Sequence, residues 1–437
     1  MTGIGPVTAY GLGIQPLWEA MLEGRSAIDR IRAFDASAFD CQVAAELPAD
    51  ALDIRKIVPK SYRKSTKVMC RDIELAVAAA AEAVRDARLN TKGIDPDAEP
   101  TIPPDRFGCQ IGAGLICADV DELGVALATS QKNVSEADAI DLHHWGEEGM
   151  HHLTPLWMLK YLPNMLACHV TIVHDCRGPS NTITCCEASS ALCLGESMRV
   201  IQRGAADACL TGGAEHKLNI LAYLRQQMAR RLAKTNGEVD PKTVARPFDP
   251  SSTGTVIGEG GGILVVEEHD TADAHGREAY AVIAGFGASQ CQLPDTIGLK
   301  LNPDDPAMAA AMRRAINQAG LQPDEIDAVV PFGSGIPSVD RAEAAALRSV
   351  FGDHAAKLPL VTTIPFTGNC GAGNGAVAMS VAAMCLREQM LPARLNSEPV
   401  EGLDAGACDT RQAQLTNILV ATTSQGGQNA AVVLRKL

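Results

Sequence analysis

The sequence is poor in positive charge and has no long apolar run. It holds 52 Asp and Glu residues against 38 Lys and Arg, for a formal net charge of -14. Binding to nucleic-acid phosphates depends on clustered Lys and Arg, so a nucleic-acid partner is not expected. Apolar runs such as residues 263–266 are far shorter than the roughly 20 residues of a membrane-spanning helix. No membrane partner is expected either.

The chain also lacks the basic and apolar segments that open a secretory signal peptide. Its 14 cysteines are scattered through apolar stretches and are not spaced as a disulfide framework, which fits a reduced, cytoplasmic setting. The composition is that of a globular protein, with 46% hydrophobic and 21% charged residues. A chain of 437 residues is expected to divide into two or more structural units.

Basic residues concentrate in two places, Arg55 to Lys67 and Arg225 to Arg231. We interpret each as a solvated helix face. An acidic partner would be repelled at long range by a chain of this charge, unless a local basic patch or a partner subunit attracted it.

The start of the chain is abrupt. Residues 1–9 have the pattern of a strand end that runs into a Gly-rich turn, and a helix pattern follows from Ile14 to Leu22. A first strand would normally hold more residues before such a turn, so we expect that the amino terminus is truncated or the start misplaced. A long Ala-rich helix is predicted from Asp72 to Leu89, followed by a loop over residues 90–105.

Strand-like runs then recur, each followed by a helix pattern, and this alternation predicts α/β layers. The predicted strands are Gly108 to Gly112, Ala208 to Gly212, Gly262 to Glu268, Ala328 to Phe332 and Leu360 to Thr363. The two halves of the chain are weakly similar, because each places a small-residue turn between a strand and a helix at its centre.

The densest group of candidate functional residues lies between residues 178 and 215. β-branched residues from Thr182 to Thr184 enter a tight turn, and a helix of small and apolar residues leaves it from Ala188. Glu187 therefore lies at a helix start, where free backbone N–H groups and the helix dipole stabilise negative charge. A low-pKa cysteine would be useful at such a place. Here a carboxylate occupies it.

This segment resembles the nucleophile region of β-ketoacyl synthases, in which Gly-Pro-Ser is followed after six residues by Cys and later by Gly-Gly-Ala-Glu. The spacing from Gly178 to Glu215 matches that pattern without insertion, and Glu187 takes the place of the nucleophilic cysteine. The resemblance covers nearly the whole chain. Its further signatures are Asn164–Met165, His169–Ile172, Arg246–Asp249, Gly258–Gly262, Val265–Glu268 and Gly426–Asn429.

Condensing enzymes of this family use two histidines as donors near a developing enolate or oxyanion. The first belongs to a His-Gly-Thr motif, where this chain has Phe332, followed by the familiar Asp340 and Glu343. The second ends a Lys-x-x-Thr-Gly-His stretch, where Ile364 replaces the lysine and Asn369 the histidine. Phenylalanine can neither donate nor titrate, and Asn369 can donate a hydrogen bond but cannot move a proton. We therefore expect no catalytic residue and interpret as degenerate active-site positions Glu187, Phe332, Ile364 and Asn369.

Three interpretations of Glu187 stay open: a space-filling remnant, a structural anion held by local donors, and a general acid or base in a new reaction. Loss of both histidines argues against chemistry, because a decarboxylase of the ketosynthase type would retain histidine and usually carries glutamine at this position. The turn that carries Glu187, here called the elbow, presents one side-chain position to the pocket, and the adjacent Cys185 and Cys186 are offset from it. We therefore interpret them as small residues packed near the turn.

Two other motifs are interpreted as structural. Residues 143–152 offer four histidines and two glutamates, but lack the spacing of His-Glu-x-x-His and fall where the family has a variable loop. We expect a polar surface or interface loop and no metal. The stretch from Gly258 to Gly262 is not followed by Gly-Lys-Ser or Gly-Lys-Thr, so tight strand packing explains it better than a phosphate site. No cofactor is expected.

The resemblance implies the thiolase fold, an α/β fold with two similar halves in a five-layer αβαβα arrangement. The halves are expected to be residues 1–253 and 254–437. Family members dimerise through the strand before the elbow, here Asn181, Thr182, Ile183 and Thr184. Leu156 and Trp157 align with a region that crosses the dimer interface and helps line the mate's acyl pocket. A simple core position is the alternative for Trp157.

A subunit without these catalytic groups cannot condense alone and would need an active mate. It is similar in this to the chain-length factors, or KS-beta subunits, of type II polyketide synthases. The resemblance implies a non-catalytic member of an acyltransferase heterodimer with an active ketosynthase. Its interface would shape the tunnel for an aromatic or polyene chain, with the acyl carrier protein as a partner through the complex. Glu187 departs from the glutamine of the best-known aromatic members, so the product stays open.

Two alternatives stay open as well. One is an enzyme that uses Glu187 for decarboxylation or hydrolysis of an acyl thioester, which predicts turnover by the isolated protein that Glu187→Gln abolishes. The other is a homodimeric acyl-binding protein.

Overall fold

The computed structural model describes residues 1–131, 140–235, 239–274, 276–291 and 304–437. Within them the strands, β1 to β15 in chain order, are Gly3–Thr8, Gly11–Leu12, Asp29–Arg30, Val43–Ala45, Phe107–Ala113, Ser180–Ile183, Ala208–Glu215, Ile257–Gly258, Gly260–Glu267, Val282–Gln290, Ala328–Val330, Met390–Leu391, Arg411–Gln412, Asn417–Thr423 and Gln428–Arg435. The α-helices, α1 to α13, are Ile14–Leu22, Ile54–Ile57, Arg71–Asp86, Val120–Thr129, Leu142–Glu147, Met165–His174, Ser189–Gln202, Ile220–Met228, His269–Ala274, Ala307–Gln318, Pro337–Phe351, Ile364–Thr367 and Asn374–Glu388. Short 3-10 helices are Lys60–Tyr62, Ser65–Val68, Pro104–Arg106, Gly149–His152, Trp157–Lys160, Cys186–Ala188, Pro241–Thr243, Pro323–Glu325, Gly352–Ala356 and Gly371–Gly373.

Two mixed sheets form the centre of the fold. The larger has the strand order β2-β1-β9-β7-β5-β6, in which β7, β5 and β6 run parallel and β9 runs antiparallel to both its neighbours. The smaller has the order β10-β15-β14-β11, in which only the pair β14 and β11 is parallel. Strand β6, which leads to Glu187, is therefore an edge strand of the larger sheet.

Helices alternate with the two sheets. The Ala-rich α3 and α6 pack on the outer face of the larger sheet, α7 and α13 lie between the sheets, and α10 covers the outer face of the smaller one. Helix α13 is buried along most of its length, as expected for a helix of small and apolar residues on all faces. These layers confirm the expected αβαβα arrangement. Among the described helices, none is long and apolar enough to cross a membrane.

Backbone segments approach each other closely at three glycines, two on neighbouring strands of the larger sheet and one in the turn before α13. A Cβ atom on Gly373 would lie 2.3 Å from Gly261 Cα, and a Cβ atom on Gly261 would lie 2.2 Å from the Gly213 carbonyl oxygen. No side chain fits in these contacts, because such distances are far inside van der Waals separation. The interpretation of Gly258 to Gly262 as a site of tight strand packing is confirmed.

Most predicted elements are present. Helix α1 has the predicted bounds, and the Ala-rich helix begins one residue and ends three residues earlier than predicted. The strands predicted from Gly108, Ala208 and Gly262 are β5, β7 and β9. The strand predicted from Ala328 ends at Val330, because the Phe332 N–H donates to a carboxylate and not to a neighbouring strand.

The strand predicted from Leu360 to Thr363 is wrong. Only isolated bridges form here, from Leu360 to Val329 and from Pro359 to Asp404. Proline has no N–H group to extend a ladder, and Thr363 already caps the short helix α12. Too few residues remain for a strand.

The division of the chain after residue 253 stays a prediction. Strand β9, which follows that point, pairs within the larger sheet, and the smaller sheet begins in the chain with β10. By strand pairing, the change from one sheet to the other falls between Glu267 and Val282.

Candidate functional site

A tight turn joins β6 to α7 and carries Glu187. Cys186, just before it, has a left-handed backbone with φ of 47°, which a non-glycine residue keeps only where its surroundings hold it. The Ser189 hydroxyl accepts a hydrogen bond from Cys185 N at 2.8 Å and donates one to Cys186 O at 2.7 Å. Glu187 lies in the 3-10 turn that leads into α7 and is fully buried. The prediction that residue 187 lies at a helix start is confirmed.

The Glu187 carboxylate is part of a buried ion pair. Its Oε1 atom accepts a hydrogen bond from Arg231 Nη2 and a second, of 3.2 Å, from Asn369 Nδ2. Its backbone carbonyl accepts a third hydrogen bond, of 3.1 Å, from the Thr422 hydroxyl. Four distant parts of the chain therefore meet at this residue, and its geometry is that of a structural anion held by local donors.

The charge of Glu187 is permanent at physiological pH. Burial alone would raise the pKa of this carboxyl, but the cations of Arg231 and Lys217 outweigh burial and lower the pKa to about 2. A general acid or base needs a pKa near the working pH. The environment of Glu187 instead gives it a pKa far below neutral pH.

Arg231 was not expected at this site. It follows α8, whose end is marked by Arg230 in a left-handed conformation with φ of 54°. That backbone turn directs the next side chain inwards, so Arg231 is 2% exposed while Arg225 and Arg230 lie on the surface. The interpretation of Arg225 to Arg231 as a solvated helix face is therefore wrong for its last residue. Side-chain oxygens of two glutamines, Gln425 at 3.1 Å and Gln226 at 3.4 Å, also accept hydrogen bonds from the guanidinium.

A second buried cation stands near the elbow. Lys217 follows the Gly-Gly-Ala-Glu motif, and its Nζ atom lies 2.5 Å from Glu215 Oε2, which also accepts a hydrogen bond from Ala372 N at 2.8 Å. Burial lowers the pKa of Lys217, but Glu215 and Glu187 more than offset that effect, so the pKa lies above its ordinary value. The positive charges of Arg231 and Lys217 thus balance the negative charges of Glu187 and Glu215.

The other degenerate positions divide into two kinds. Asn369 belongs to the elbow, since its Nδ2 atom donates to Glu187 and its Oδ1 atom accepts a hydrogen bond from Gly371 N at 2.9 Å. Phe332 and Ile364 are buried in one apolar cluster with α10 and α11. The structure therefore brings Glu187 and Asn369 together, whereas Phe332 and Ile364 belong to the hydrophobic core.

The cysteines next to Glu187 are not poised as nucleophiles. Burial raises the pKa of Cys185, and burial together with the charge of Glu187 raises the pKa of Cys186 to about 11. Both are therefore thiols at neutral pH, whereas the thiolate is the reactive form. This agrees with the interpretation of both as packed residues.

Two carboxyl groups support the loop that begins at Phe332. Glu343 accepts hydrogen bonds from Phe332 N and Gly333 N, each of 2.8 Å. Asp340 accepts from Ser334 N at 2.9 Å, Gly335 N at 3.0 Å and the Ser334 hydroxyl at 2.7 Å. Both carboxyls are buried. The loop thus keeps its supporting hydrogen bonds although phenylalanine, and not histidine, stands at its first position.

Glu343 should make stability depend on pH. Burial raises the pKa of this carboxyl from 4.5 to about 8, against the effect of its backbone donors. Between these two values the native state binds one proton more than the unfolded state. The free energy of unfolding therefore falls as pH rises, by about 1.4 kcal/mol per pH unit. Two buried histidines, His169 and His174, have their pKa lowered by burial from 6.5 to about 4 and give the opposite slope below pH 6.5.

We therefore expect Glu343→Gln to make the slope of the urea midpoint against pH less negative than in wild type between pH 6.5 and 8. Asp72, whose pKa burial raises to about 7, and the buried Met1 amino group, whose pKa burial lowers to about 6, contribute slopes of opposite sign that variant and wild type share. Glu401→Gln, on the surface, is the matched control and should keep the wild-type slope. An unchanged slope in Glu343→Gln would contradict the assignment.

The residues predicted to contact a partner lie on the surface of the single chain. Leu156 is 66% exposed and has a left-handed backbone, and Trp157 is half-buried with its ring centroid 5.7 Å from that of Tyr161. Along β6 and the residue after it, Asn181 and Thr184 are exposed, and Thr182 and Ile183 are half-buried. In the described chain, β6 pairs on one side only, with β5. The interface role of these residues stays a prediction.

The histidine-rich segment is on the surface. His143 Nδ1 lies 3.2 Å from Glu147 Oε2, and His144 Nε2 lies 3.9 Å from Glu148 Oε2, with all four side chains well exposed. No group of three or more His, Cys, Asp or Glu side chains placed to hold a metal ion is found in the part of the chain that the structure describes.

Family comparisons match most of this chain. The model described as Beta-ketoacyl synthase, N-terminal domain, matches residues 1–272, and that described as Beta-ketoacyl synthase, C-terminal domain, matches residues 280–398. The 3-oxoacyl-[acyl-carrier-protein] synthase 2 of Coxiella burnetii (strain RSA 493 / Nine Mile phase I) is 29% identical over 445 residues, covering 100% of this chain and 98% of that protein.

Two solved structures are similar over the whole chain. The ishigamide ketosynthase/chain length factor superposes with a TM-score of 0.82 at 23% identity, covering 100% of this chain and 98% of that one. A type II polyketide synthase acyl-carrier protein in complex with its ketosynthase bound to the hexaketide gives 0.80 at 22% identity, with coverage of 100% and 98%. At such identities they establish the fold, and the expected thiolase fold is confirmed.

Proposed function

The chain belongs to the β-ketoacyl synthase family, and we propose that it is a non-catalytic chain-length factor of a type II polyketide synthase. It would pair with an active ketosynthase and shape the tunnel in which the acyl chain grows. The partners would be that ketosynthase and, through the complex, an acyl carrier protein. We place it in the cytoplasm on the grounds of its cysteine usage.

The buried Glu187–Arg231 ion pair carries this proposal. In a condensing enzyme the residue at position 187 must reach a thioester and change its covalent state. Here Glu187 is fully buried and held by a cation and an amide. Phe332 and Ile364 contribute no donor to replace the missing groups. A subunit built in this way supports chemistry only through a mate.

The enzymatic alternative finds no support in the same geometry. A decarboxylase or hydrolase that used Glu187 would need its substrate to reach the carboxylate. A surface cleft of about 960 Å³ opens beside Arg71, His216 and Glu259, but Glu187 is not among the residues that line it. The low pKa of Glu187 also removes it from proton transfer near neutral pH.

Exposed apolar side chains support an interface with a mate. Five apolar side chains from the start of α5 to α6 are largely exposed, namely Leu142, Met150, Leu156, Met158 and Ile172, and exposed apolar side chains that lie together mark interaction sites. The segment leads to the open edge of β6. The net charge of -14 favours a different chain over a second copy, because two copies would repel. The same negative charge agrees with a complex in which an acidic carrier protein docks on the active subunit and not on this chain.

We expect a one-to-one complex when this chain is co-expressed with the ketosynthase encoded nearest to it that retains the Cys and both His motifs. Leu156→Asp should weaken that complex at least tenfold, because burying an unpaired carboxylate in an interface costs more than about 1.4 kcal/mol. Size-exclusion chromatography with light scattering measures both results. Leu437→Asp is the matched control, since Leu437 is 61% exposed and follows β15 of the smaller sheet, whereas β6 belongs to the larger one.

Three results would overturn the proposal: a stable homodimer that ignores the ketosynthase, equal binding by the two aspartate variants, or turnover of acyl thioesters by the isolated chain. The last would favour the enzymatic alternative, and the first the homodimeric acyl-binding protein.

A further inference from the structure

The side chains of Gln425, Arg231 and Glu187 lie in series from the surface to the elbow. Gln425, in the turn between β14 and β15, is half-buried beside the exposed Gly426. Its side-chain oxygen accepts a hydrogen bond from Arg231 Nη1 at 3.1 Å, and Nη2 of the same guanidinium contacts Glu187. Any group that approached Glu187 from this turn would meet the guanidinium first.

The backbone fixes Arg231 in this place independently of its charge. The left-handed Arg230 turns the chain, Arg231 N donates to Gln226 O at 3.1 Å, and Arg231 O accepts from Thr255 N at 2.8 Å. These bonds fix the direction in which the Arg231 side chain leaves the backbone. The guanidinium is thus held between the turn after β14, helix α8 and the elbow.

We infer that Arg231 is the residue that excludes acyl chains from the elbow of this subunit. This rests on the proposed function, because it assigns the growing chain to the mate's elbow alone. An apolar chain that entered would have to displace the guanidinium from its carboxylate and from two amides. Glu187 would then stay buried without its counter-charge, which is strongly unfavourable.

Thiol labelling of the isolated full-length chain tests this inference. Glu187→Cys places a probe at the elbow, in a background with Cys185→Ser and Cys186→Ser so that only one thiol is there. Two versions are compared, Arg231→Met, which keeps most of the side-chain volume, and Arg231→Ala, which removes it. Iodoacetamide is the probe: the thiolate sulfur bonds to its methylene carbon and iodide leaves.

We expect residue 187 to be alkylated at least tenfold faster in the alanine version than in the methionine version, measured by peptide mass spectrometry. The native Cys193, buried on α7, is the internal reference. It reacts only when the protein unfolds, so the ratio of the two rates removes differences in stability. Arg230→Asn in the methionine version is the matched control, because Arg230 is exposed and asparagine tolerates its backbone.

Equal ratios in the two versions would overturn the inference, and so would an alanine version in which residue 187 reacts no faster than Cys193. If the alanine version does not fold, Arg231→Val gives the same comparison with a smaller loss of volume. The labelling needs no mate, so its failure is distinguishable from failure of the pairing experiment with Leu156→Asp.

Discussion

Arg231→Met is expected to lower the free energy of unfolding by about 3–5 kcal/mol, because it leaves a buried carboxylate without its main counter-charge. Glu187 is fully buried and Arg231 is 2% exposed, so water cannot replace the lost partner. Lys217 and the amide of Asn369 remain near, but Lys217 is already paired with Glu215. Urea unfolding followed by circular dichroism measures the loss.

The double variant Glu187→Leu/Arg231→Met should recover most of that loss. Replacing a buried ion pair by apolar residues of similar volume is often neutral, since the cost of desolvating both charges disappears. Here Glu187 Oε2 and Arg231 Nε have no hydrogen-bond partner among the described residues, which makes the native pair less favourable than a complete network. A double-mutant cycle should therefore give a coupling of at least about 2 kcal/mol.

Arg203→Met is the control for this series. Arg203 lies at the end of α7, with Nη1 3.5 Å from Glu196 Oε1 and both side chains partly exposed. Such a surface pair is worth about 0–1 kcal/mol. If Arg231→Met cost no more than this control, the ion pair would not be the element that holds the elbow.

Asp340→Ala is expected to lower the free energy of unfolding by about 3 kcal/mol or more, since each buried donor left without a partner costs roughly 1–3 kcal/mol. Besides the two N–H groups of the loop after Phe332, Asp340 accepts a hydrogen bond from Phe248 N at 2.8 Å. Phe248 has a left-handed backbone with φ of 62°. The carboxyl therefore holds a strained residue as well as a loop.

The charge of Asp340 should matter less than its oxygens. Burial raises its pKa to about 6, so ionisation is less favourable in the native state than in the unfolded chain. Asp340→Asn keeps one acceptor and should fall between wild type and Asp340→Ala in urea midpoint. Asp409→Ala, on the surface, is the control. An effect of Asp340→Ala within 0.5 kcal/mol of that control, roughly the scatter of surface substitutions, would exclude a structural role.

The fold was largely predictable from local patterns. Alternating apolar runs and helix patterns mark β5, β7 and β9 because period and length are local properties of a sequence. The strand predicted from Leu360 to Thr363 is wrong because Pro359 before it has no N–H group and α12 begins directly after it, and the bridges that do form are with residues distant in the chain, Val329 and Asp404. The Gly-rich stretch from Gly258 to Gly262 predicted tight strand packing, and the structure confirms it.

The elbow was predictable in its position and not in its partners. Motif spacing located Glu187 and Asn369 and so brought them to one site. Arg231 was assigned to a helix face, because Arg225 to Arg231 gives no glycine or proline to mark where α8 ends. The helix ends where Arg230 adopts a left-handed conformation, and an arginine in a sequence does not indicate such a conformation. The apolar Leu232 and Ala233 that follow are the one hint that the chain has turned inwards.

The ion pair at the elbow also limits how this chain can change. If residue 187 alone were changed to cysteine, Arg231 would remain buried without a counter-charge and the protein would lose stability. If Arg231 alone were replaced, Glu187 would be stranded in the same way. Each first step is unfavourable, although the two steps together are tolerable. The pair therefore opposes the gain of a cysteine at residue 187 through single substitutions, because each single change leaves one buried charge unpaired.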